Sequence, residues 1–231
     1  MLIKALYFDL GGVIVRTEDE TSRTRLAAEF GMTYAEMDKF VFECETAAMA
    51  SIGKITEIEH WLDVTRRLKR PESEMPRLRD TFFGGDAVDL DIVNLLRSLR
   101  KTHKTGLISN AWDGLRPWIV SQKFDDAFEY MTISAEIGVA KPDARIYQHA
   151  LEKLGVQASE AVFVDDVEKN IVACEALGMH GVHFKSAEQA LADVKILLNT
   201  QPGQAGTKQE NKEEKLFNRT RREGTLHKSK T

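Results

Sequence analysis

The sequence predicts an α/β fold: a doubly wound parallel sheet carrying an all-helical insert after its first strand. Three observations predict it. Short apolar runs recur at Ala5–Phe8, Thr105–Ser109, Tyr130–Ser134, Ala161–Val164 and Gly181–Phe184, as strands buried on both faces of a parallel sheet do. Helix-period segments separate these runs from residue 89 onward, and such alternation builds a sheet flanked by helices on both faces. From about Thr17 to Phe83 only helix-period segments occur.

Taken in order, Ala5–Phe8 ends at Asp9 and the Gly11-Gly12 pair, which reads as a strand leaving the sheet through a turn. Helices are then expected over Glu18–Phe30, Tyr34–Ala50 and Ile55–Lys69, with Pro71, Pro76 and Gly84-Gly85 marking the return to the main domain. Beyond that point the expected helices are Asp89–Lys101, Trp112–Gln122, Asp143–Leu154, Glu168–Leu177 and Ala187–Leu198. Gly155 and Gly178 stand where left-handed helix ends belong. The expected organisation is therefore a sheet domain of residues 1–16 and 84–198, a helical cap of residues 17–83, and a polar tail of residues 199–231. The tail holds eight Lys and Arg against four Glu and few apolar residues, so it is expected to stay disordered.

Composition narrows the function classes. In 231 residues, 42% are hydrophobic and the formal net charge is −4, which provides no chain-wide basic field for nucleic acid. The apolar N-terminal stretch is interrupted by Lys4 and Asp9, so it reads as a strand and neither as a leader nor as a membrane span. The two cysteines, Cys44 and Cys174, lie far apart without partners suggesting metal or redox chemistry, and a cytoplasmic location is expected. Oligomeric state is not legible.

The informative pattern is where the polar residues fall. Asp9 ends the first strand, Ser109-Asn110 the second, Asp165-Asp166 follow the fourth, and Lys141 precedes the helix after the third. Each alone has a local explanation as a turn residue, cap or surface charge. Together, three carboxylates and an ammonium converging on one sheet edge would repel and desolvate unless a cation or anionic ligand completes the site. Paired carboxylates make a hard-oxygen site suited to Mg²⁺ and a substrate phosphate. The Ser109 hydroxyl, Lys141 and backbone N–H groups after the glycine turn could hold phosphoryl oxygens, leaving Asp9 to attack phosphorus as a nucleophile.

These segments resemble the haloacid-dehalogenase-like (HAD) hydrolase superfamily, in the branch with a helical cap after the first strand (subfamily IA). The resemblance rests on Phe8-Asp9-Leu10-Gly11-Gly12-Val13, Leu107-Ile108-Ser109-Asn110, Lys141-Pro142-Asp143 and Val164-Asp165-Asp166 through Asn170. It covers Leu2 to Leu198 and implies a Rossmann-like core. Lys141 to Tyr147 is similar to sugar-phosphate phosphatases of the glucose-1-phosphate phosphatase type, and the double aspartate to the phosphatase domain of soluble epoxide hydrolases. The resemblance implies a phosphatase acting on a small phosphorylated metabolite, a sugar phosphate among the expectations. Asp9 would be nucleophile and Mg²⁺ ligand. The Gly11 carbonyl and Asp166 would complete the ligand set, with Asp165 adjacent or water-linked. Ser109, the Asn110 backbone and a Gly12 N–H would bind phosphate, and Lys141 would pair with Asp9 and the transferring group.

One departure matters. Most phosphatases of this superfamily carry a second aspartate two residues after the nucleophile as general acid and base, and here that position is Gly11. Positioned acid–base groups contribute about 10²–10⁴-fold. An acidic leaving group, such as an anomeric phosphate, is therefore expected, or a proton from water, a substrate hydroxyl or a cap residue such as Glu18, Glu45 or His60. Two rivals remain at this stage. A haloacid dehalogenase would use the same aspartate on carbon without a metal; a weakly catalytic binding or regulatory protein would bind phosphate ligands without turnover.

Overall fold

The computed structural model describes residues 2–199; the tail expected over 199–231 lies, beyond Asn199, outside the described residues. The chain opens with β1 (Ala5–Phe8) and β2 (Val15–Thr17), then five helices: α1 (Thr21–Glu29), α2 (Tyr34–Phe42), α3 (Glu45–Ser51), α4 (Glu57–Arg67) and α5 (Met75–Phe83). Next come β3 (Asp86–Val88), α6 (Leu90–Leu99), β4 (Lys104–Ser109), α7 (Leu115–Ser121), β5 (Tyr130–Ile133) and the short α8 (Ser134–Ile137). The chain continues through α9 (Ala144–Leu154), β6 (Ala161–Asp165), α10 (Glu168–Ala176), β7 (His180–His183) and α11 (Ala187–Asn199).

Five strands form one parallel sheet in the order β5-β4-β1-β6-β7. Alternation along β1 explains the two layers, since successive side chains point to opposite faces. Leu6 and Phe8 join a core with Ile92, Val93 and Leu96 of α6, Ile119 of α7 and Val194 of α11. Ala5 and Tyr7 join the other core, with Ile146, Tyr147 and Ala150 of α9 and Ile171 of α10. This is the doubly wound arrangement expected, and its ligand crevice lies beyond the carboxyl ends of the strands where the order reverses, at β1.

Helices α1 to α5 share a third core of Leu26, Met37, Val41, Trp61, Val64, Leu78 and Phe82. Reciprocal capping boxes at Thr33 with Glu36 and Thr56 with Glu59 start α2 and α4, supplying partners for otherwise orphaned N–H groups. Buried Arg23 ties this bundle to its exit strand: its guanidinium donates to the Phe82 carbonyl at 3.0 Å, to Asp38 at 2.8 Å and to Asp86 at 3.1 Å.

The structure departs from the sequence expectation in three places. Residues expected as one helix over Tyr34–Ala50 form α2 and α3, because Cys44 takes an extended conformation at the start of the second. Helix α5 was not expected. Pro76, read as part of the return to the main domain, stands in the first turn of α5, where its missing N–H would be unpaired in any case. The antiparallel ribbon β2–β3, which pairs Val15 with Val88 and Thr17 with Asp86 where the chain enters and leaves the bundle, has strands of three residues, too short for periodicity to reveal. Among the described residues no helix is long and apolar enough to cross a membrane.

Candidate active site

The site begins with the register of three adjacent strands. Phe8 pairs with Leu107 of β4 on one side and Val164 of β6 on the other. Asp9, just past the end of β1, therefore lies between the ends of strands roughly 4.8 Å away on each side. Ser109 is the last residue of β4 and Asp165 the last of β6. Lys141 reaches the same edge from the loop before α9, whose N-cap is Asp143.

These groups are drawn together and buried. The Lys141 ammonium lies 2.8 Å from Asp9 Oδ2 and 2.7 Å from Asp165 Oδ2, its side chain only 1% exposed. Asp9 Oδ1 accepts the Leu10 N–H at 2.6 Å. Asp165 is further held by the Val167 N–H at 2.8 Å and by Asn170 Nδ2 at 3.0 and 3.1 Å to its two oxygens. Asn110 clamps the loop that carries Lys141: its Oδ1 accepts the Lys141 N–H at 2.7 Å and its Nδ2 donates to the Lys141 carbonyl at 2.9 Å.

Carboxylate oxygens of Asp9, Asp165 and Asp166 all lie within 4.8 Å of one another, with Asp166 at the exposed rim. One ammonium does not neutralise three such charges, and the titration directions register the excess. Burial, opposed by Lys141 and reinforced by Asp165, pushes the Asp9 carboxyl up to about 6. Burial and the neighbouring Asp165 also raise Asp166. Hard oxygens clustered at this separation fit a divalent cation, whose charge would reverse both shifts.

Gly12 makes room for this cluster. It has φ +77°, and a Cβ there would collide with the Asp166 carboxylate, so a glycine is what lets Asp166 approach the turn. The Gly12 N–H, expected to donate to phosphate, here bonds the Val15 carbonyl at 2.9 Å, closing the turn. At Gly11 a Cβ would meet nothing within 4 Å, leaving open space where an acid–base side chain could stand.

Asp9, Ser109, Asn110, Lys141, Asp165 and Asp166 thus share one sheet edge. His60 does not offer a free proton donor at that edge: it is fully buried in the helical bundle, its Nδ1 2.9 Å from Thr46 Oγ1, and burial lowers its pKa to about 4. Two contributors were given no role at the site from the sequence. Asn170 orients Asp165, and its spacing within the fourth motif is the available signal. His183 Nε2 lies 3.0 Å from the Asp166 carbonyl; a lone histidine at a strand end carries no such signal.

The helical bundle meets the edge through the loop after Ser109. Trp112 Nε1 donates to the Ala47 carbonyl at 3.4 Å, and the Glu57 N–H to Asp113 at 2.7 Å.

Comparison with known proteins agrees with this geometry. The profile of the hydrolase family described as haloacid dehalogenase-like hydrolase matches residues 3–178. A sesquiterpene phosphatase of Aspergillus oryzae is 25% identical over 84% of this chain and 96% of its own length. A D-ribitol-5-phosphate phosphatase of Bacteroides thetaiotaomicron is 25% identical over 86% of this chain and 100% of its own. A HAD-family enzyme from the same bacterium, solved with magnesium and inorganic phosphate, superposes with a TM-score of 0.67 at 23% identity, covering 80% of this chain and 96% of that one. With a matching profile that covers four of the five strands of the main sheet and the helical insert, this chain belongs to the haloacid dehalogenase-like hydrolases and is an enzyme of that family.

Proposed function

We propose that this enzyme is a Mg²⁺-dependent phosphomonoester hydrolase that works through an aspartyl phosphate on Asp9. The observation that carries the reading is the buried Lys141 ammonium between Asp9 and Asp165, with Asp166 completing a carboxylate set of metal-binding dimensions. The phosphatase names of the relatives and the magnesium and phosphate of the structural neighbour support it.

Asp9, Asp166 and the Gly11 carbonyl would hold the ion, with Asp165 behind them. Bound there, it would offset the repulsion between the Asp9 carboxylate and a dianionic ester. An Asp9 oxygen attacks phosphorus, the bond from phosphorus to the ester oxygen breaks, and the ester oxygen departs with the bonding pair as an anion that takes its proton from solvent water. Lys141 and the Ser109 hydroxyl face the charge that develops on the phosphoryl oxygens. Asn110 and Asn170 act as positioning residues, holding Lys141 and Asp165. Water then attacks the aspartyl phosphate, freeing phosphate and regenerating Asp9. Helices α1 to α5, proposed as a cap over residues 17–83, enclose the ester and exclude bulk water. The substrate is a small phosphorylated metabolite. The relatives are named for a polyol phosphate and for a sesquiterpene, so the sugar phosphate expected from the sequence and a less polar ester both fall within the reading.

Phosphate release from sugar phosphates, nucleotides and acyl phosphates tests it. Release should require Mg²⁺, stop on chelation and return when Mg²⁺ is restored. Halide release from a haloacid that survives chelation would establish the dehalogenase instead.

The open space at Gly11 yields a further expected result. In Gly11→Asp the new carboxyl enters without steric conflict, as no atom lies within 4 Å of the added Cβ. The rate on cyclohexyl phosphate, a poor leaving group, should rise about tenfold relative to that on acetyl phosphate, a conservative share of the usual acid–base contribution. An unchanged ratio would show that proton donation does not limit the wild type.

A further inference from the structure

The loop that leaves the phosphate-binding edge runs directly into an apolar wall. Trp112 follows Ser109 by three residues, so its Cα lies within about 10–11 Å of that of Ser109. Asn110 between them is exposed. Across from Trp112 stands Phe42, the last residue of α2 in the helical bundle. The Phe42 ring lies 5.7 Å from the Trp112 ring, tilted by 30°, and 6.4 Å from that of half-buried Phe83.

Two features mark this wall as more than packing. Phe42 keeps 44% of its surface exposed although three aromatic rings surround it, against 9% for Trp112, so Phe42 presents the accessible part of the wall. Trp112 has a single polar atom, and it is already donated to the Ala47 carbonyl, so the indole offers no hydrogen bond to a polyol. A sugar placed here would lose water from its hydroxyls without gaining partners, whereas an apolar ring would gain burial and offset aromatic contacts.

The vacancy for a general acid at Gly11 constrains the same alcohol independently. With no acid–base side chain at that position, breaking the ester bond is fastest when the departing oxygen is stable as an anion, as a phenolic oxygen is and the alkoxide of an ordinary alkyl or non-anomeric sugar hydroxyl is not. We infer that Phe42 and Trp112 form the leaving-group subsite of this enzyme, and that its substrates are phosphomonoesters of apolar, acidic hydroxyls, of which aryl phosphates are the simplest class. The inference rests on the phosphatase reading and names the alcohol that reading leaves general.

Binding and turnover separate the two. In Mg²⁺, calorimetry with methyl-, phenyl- and 1-naphthylphosphonate, which cannot be hydrolysed, should show affinity rising about tenfold from methyl to phenyl and further to naphthyl. Phe42→Ala should shrink the naphthyl-to-methyl affinity ratio about tenfold, and Phe42→Leu should recover part of it. Equal affinities across the series, or a ratio unmoved in Phe42→Ala, would overturn the subsite. Turnover adds the second arm: phenyl phosphate should exceed both cyclohexyl phosphate and glucose 6-phosphate in kcat/KM by about 10² or more, while phenyl and cyclohexyl phosphate differ little in KM. A preference for glucose 6-phosphate would overturn the substrate class. If the phosphonates bind in the predicted order but no ester is hydrolysed in Mg²⁺, the subsite stands and the phosphatase reading and the substrate class fall together.

Discussion

Asp9→Asn is expected to reduce phosphate release at least about 10³-fold, because the amide cannot act as the nucleophile that divides the reaction into two displacements. The substitution keeps the size of the side chain and an oxygen facing the Leu10 N–H, which bonds Asp9 at 2.6 Å, so the fold should survive. Two measurements check the result. Steady-state phosphate release gives the rate. Rapid acid quench with mass spectrometry should find one phosphoryl group on the wild-type peptide containing Asp9 and none on the variant peptide. Turnover in Asp9→Asn within tenfold of wild type would remove the aspartate from the chemistry and overturn the aspartyl-phosphate reading.

Lys141→Met should have the second largest effect, on both activity and stability. The ammonium touches Asp9 at 2.8 Å and Asp165 at 2.7 Å with almost no solvent contact. Removing one partner of such a buried cluster commonly costs about 3–5 kcal/mol, since the charges left behind are neither solvated nor paired. The pH dependence follows from the Asp9 carboxyl, which burial holds at about 6 in the folded chain against an ordinary 3.8. Between those values the folded protein keeps a proton that the unfolded chain has released. This contribution to metal-free stability is therefore full below about pH 4 and is lost as pH rises through about 6. Without Lys141, which opposes the shift, the loss should extend to higher pH. Thermal unfolding from pH 4 to 8 in chelator should show the melting temperature of Lys141→Met falling more steeply than that of wild type, with Mg²⁺ restoring part of the difference. Activity should drop by at least about 10²-fold. Parallel melting curves at every pH would mean that Lys141 does not carry the electrostatic balance of the cluster.

The candidate site was legible in the sequence because its polar residues sit at strand ends. A buried parallel strand must be apolar throughout its length, so the first polar residue after Ala5–Phe8 or Ala161–Val164 announces where the chain leaves the sheet. Asp9, Ser109 and Asp165 were legible for that reason, and Lys141 through the motif it shares with Pro142. Positioning residues were harder to read. Asn110 was expected to serve phosphate through its backbone, yet its side chain grips both polar atoms of the Lys141 main chain. The Gly12 N–H was expected to be free for a ligand and is instead engaged by Val15. The Asn110 bonds join segments 31 residues apart and leave no periodic trace in either, and the Gly12 bond closes a local turn whose pairing apolar periodicity does not encode.

The helical bundle shows the same division. Its helical character was evident from Thr17 to Phe83, but the break between α2 and α3, the start of α5 at Pro76 and the β2–β3 ribbon were not. Helix-period apolar residues continue across Cys44, and only its packed surroundings turn the chain there.

What the sequence by itself determined was the order of strands and helices and the kinds of side chain delivered to one edge, because burial imposes its own spacing on apolar residues. Only the tertiary structure decided which of those charges meet, how Lys141 is divided between two aspartates, and that Phe42 of the bundle faces Trp112 of the sheet domain. Those outcomes depend on distances across the fold, and distances arise only when separately encoded segments are packed against one another.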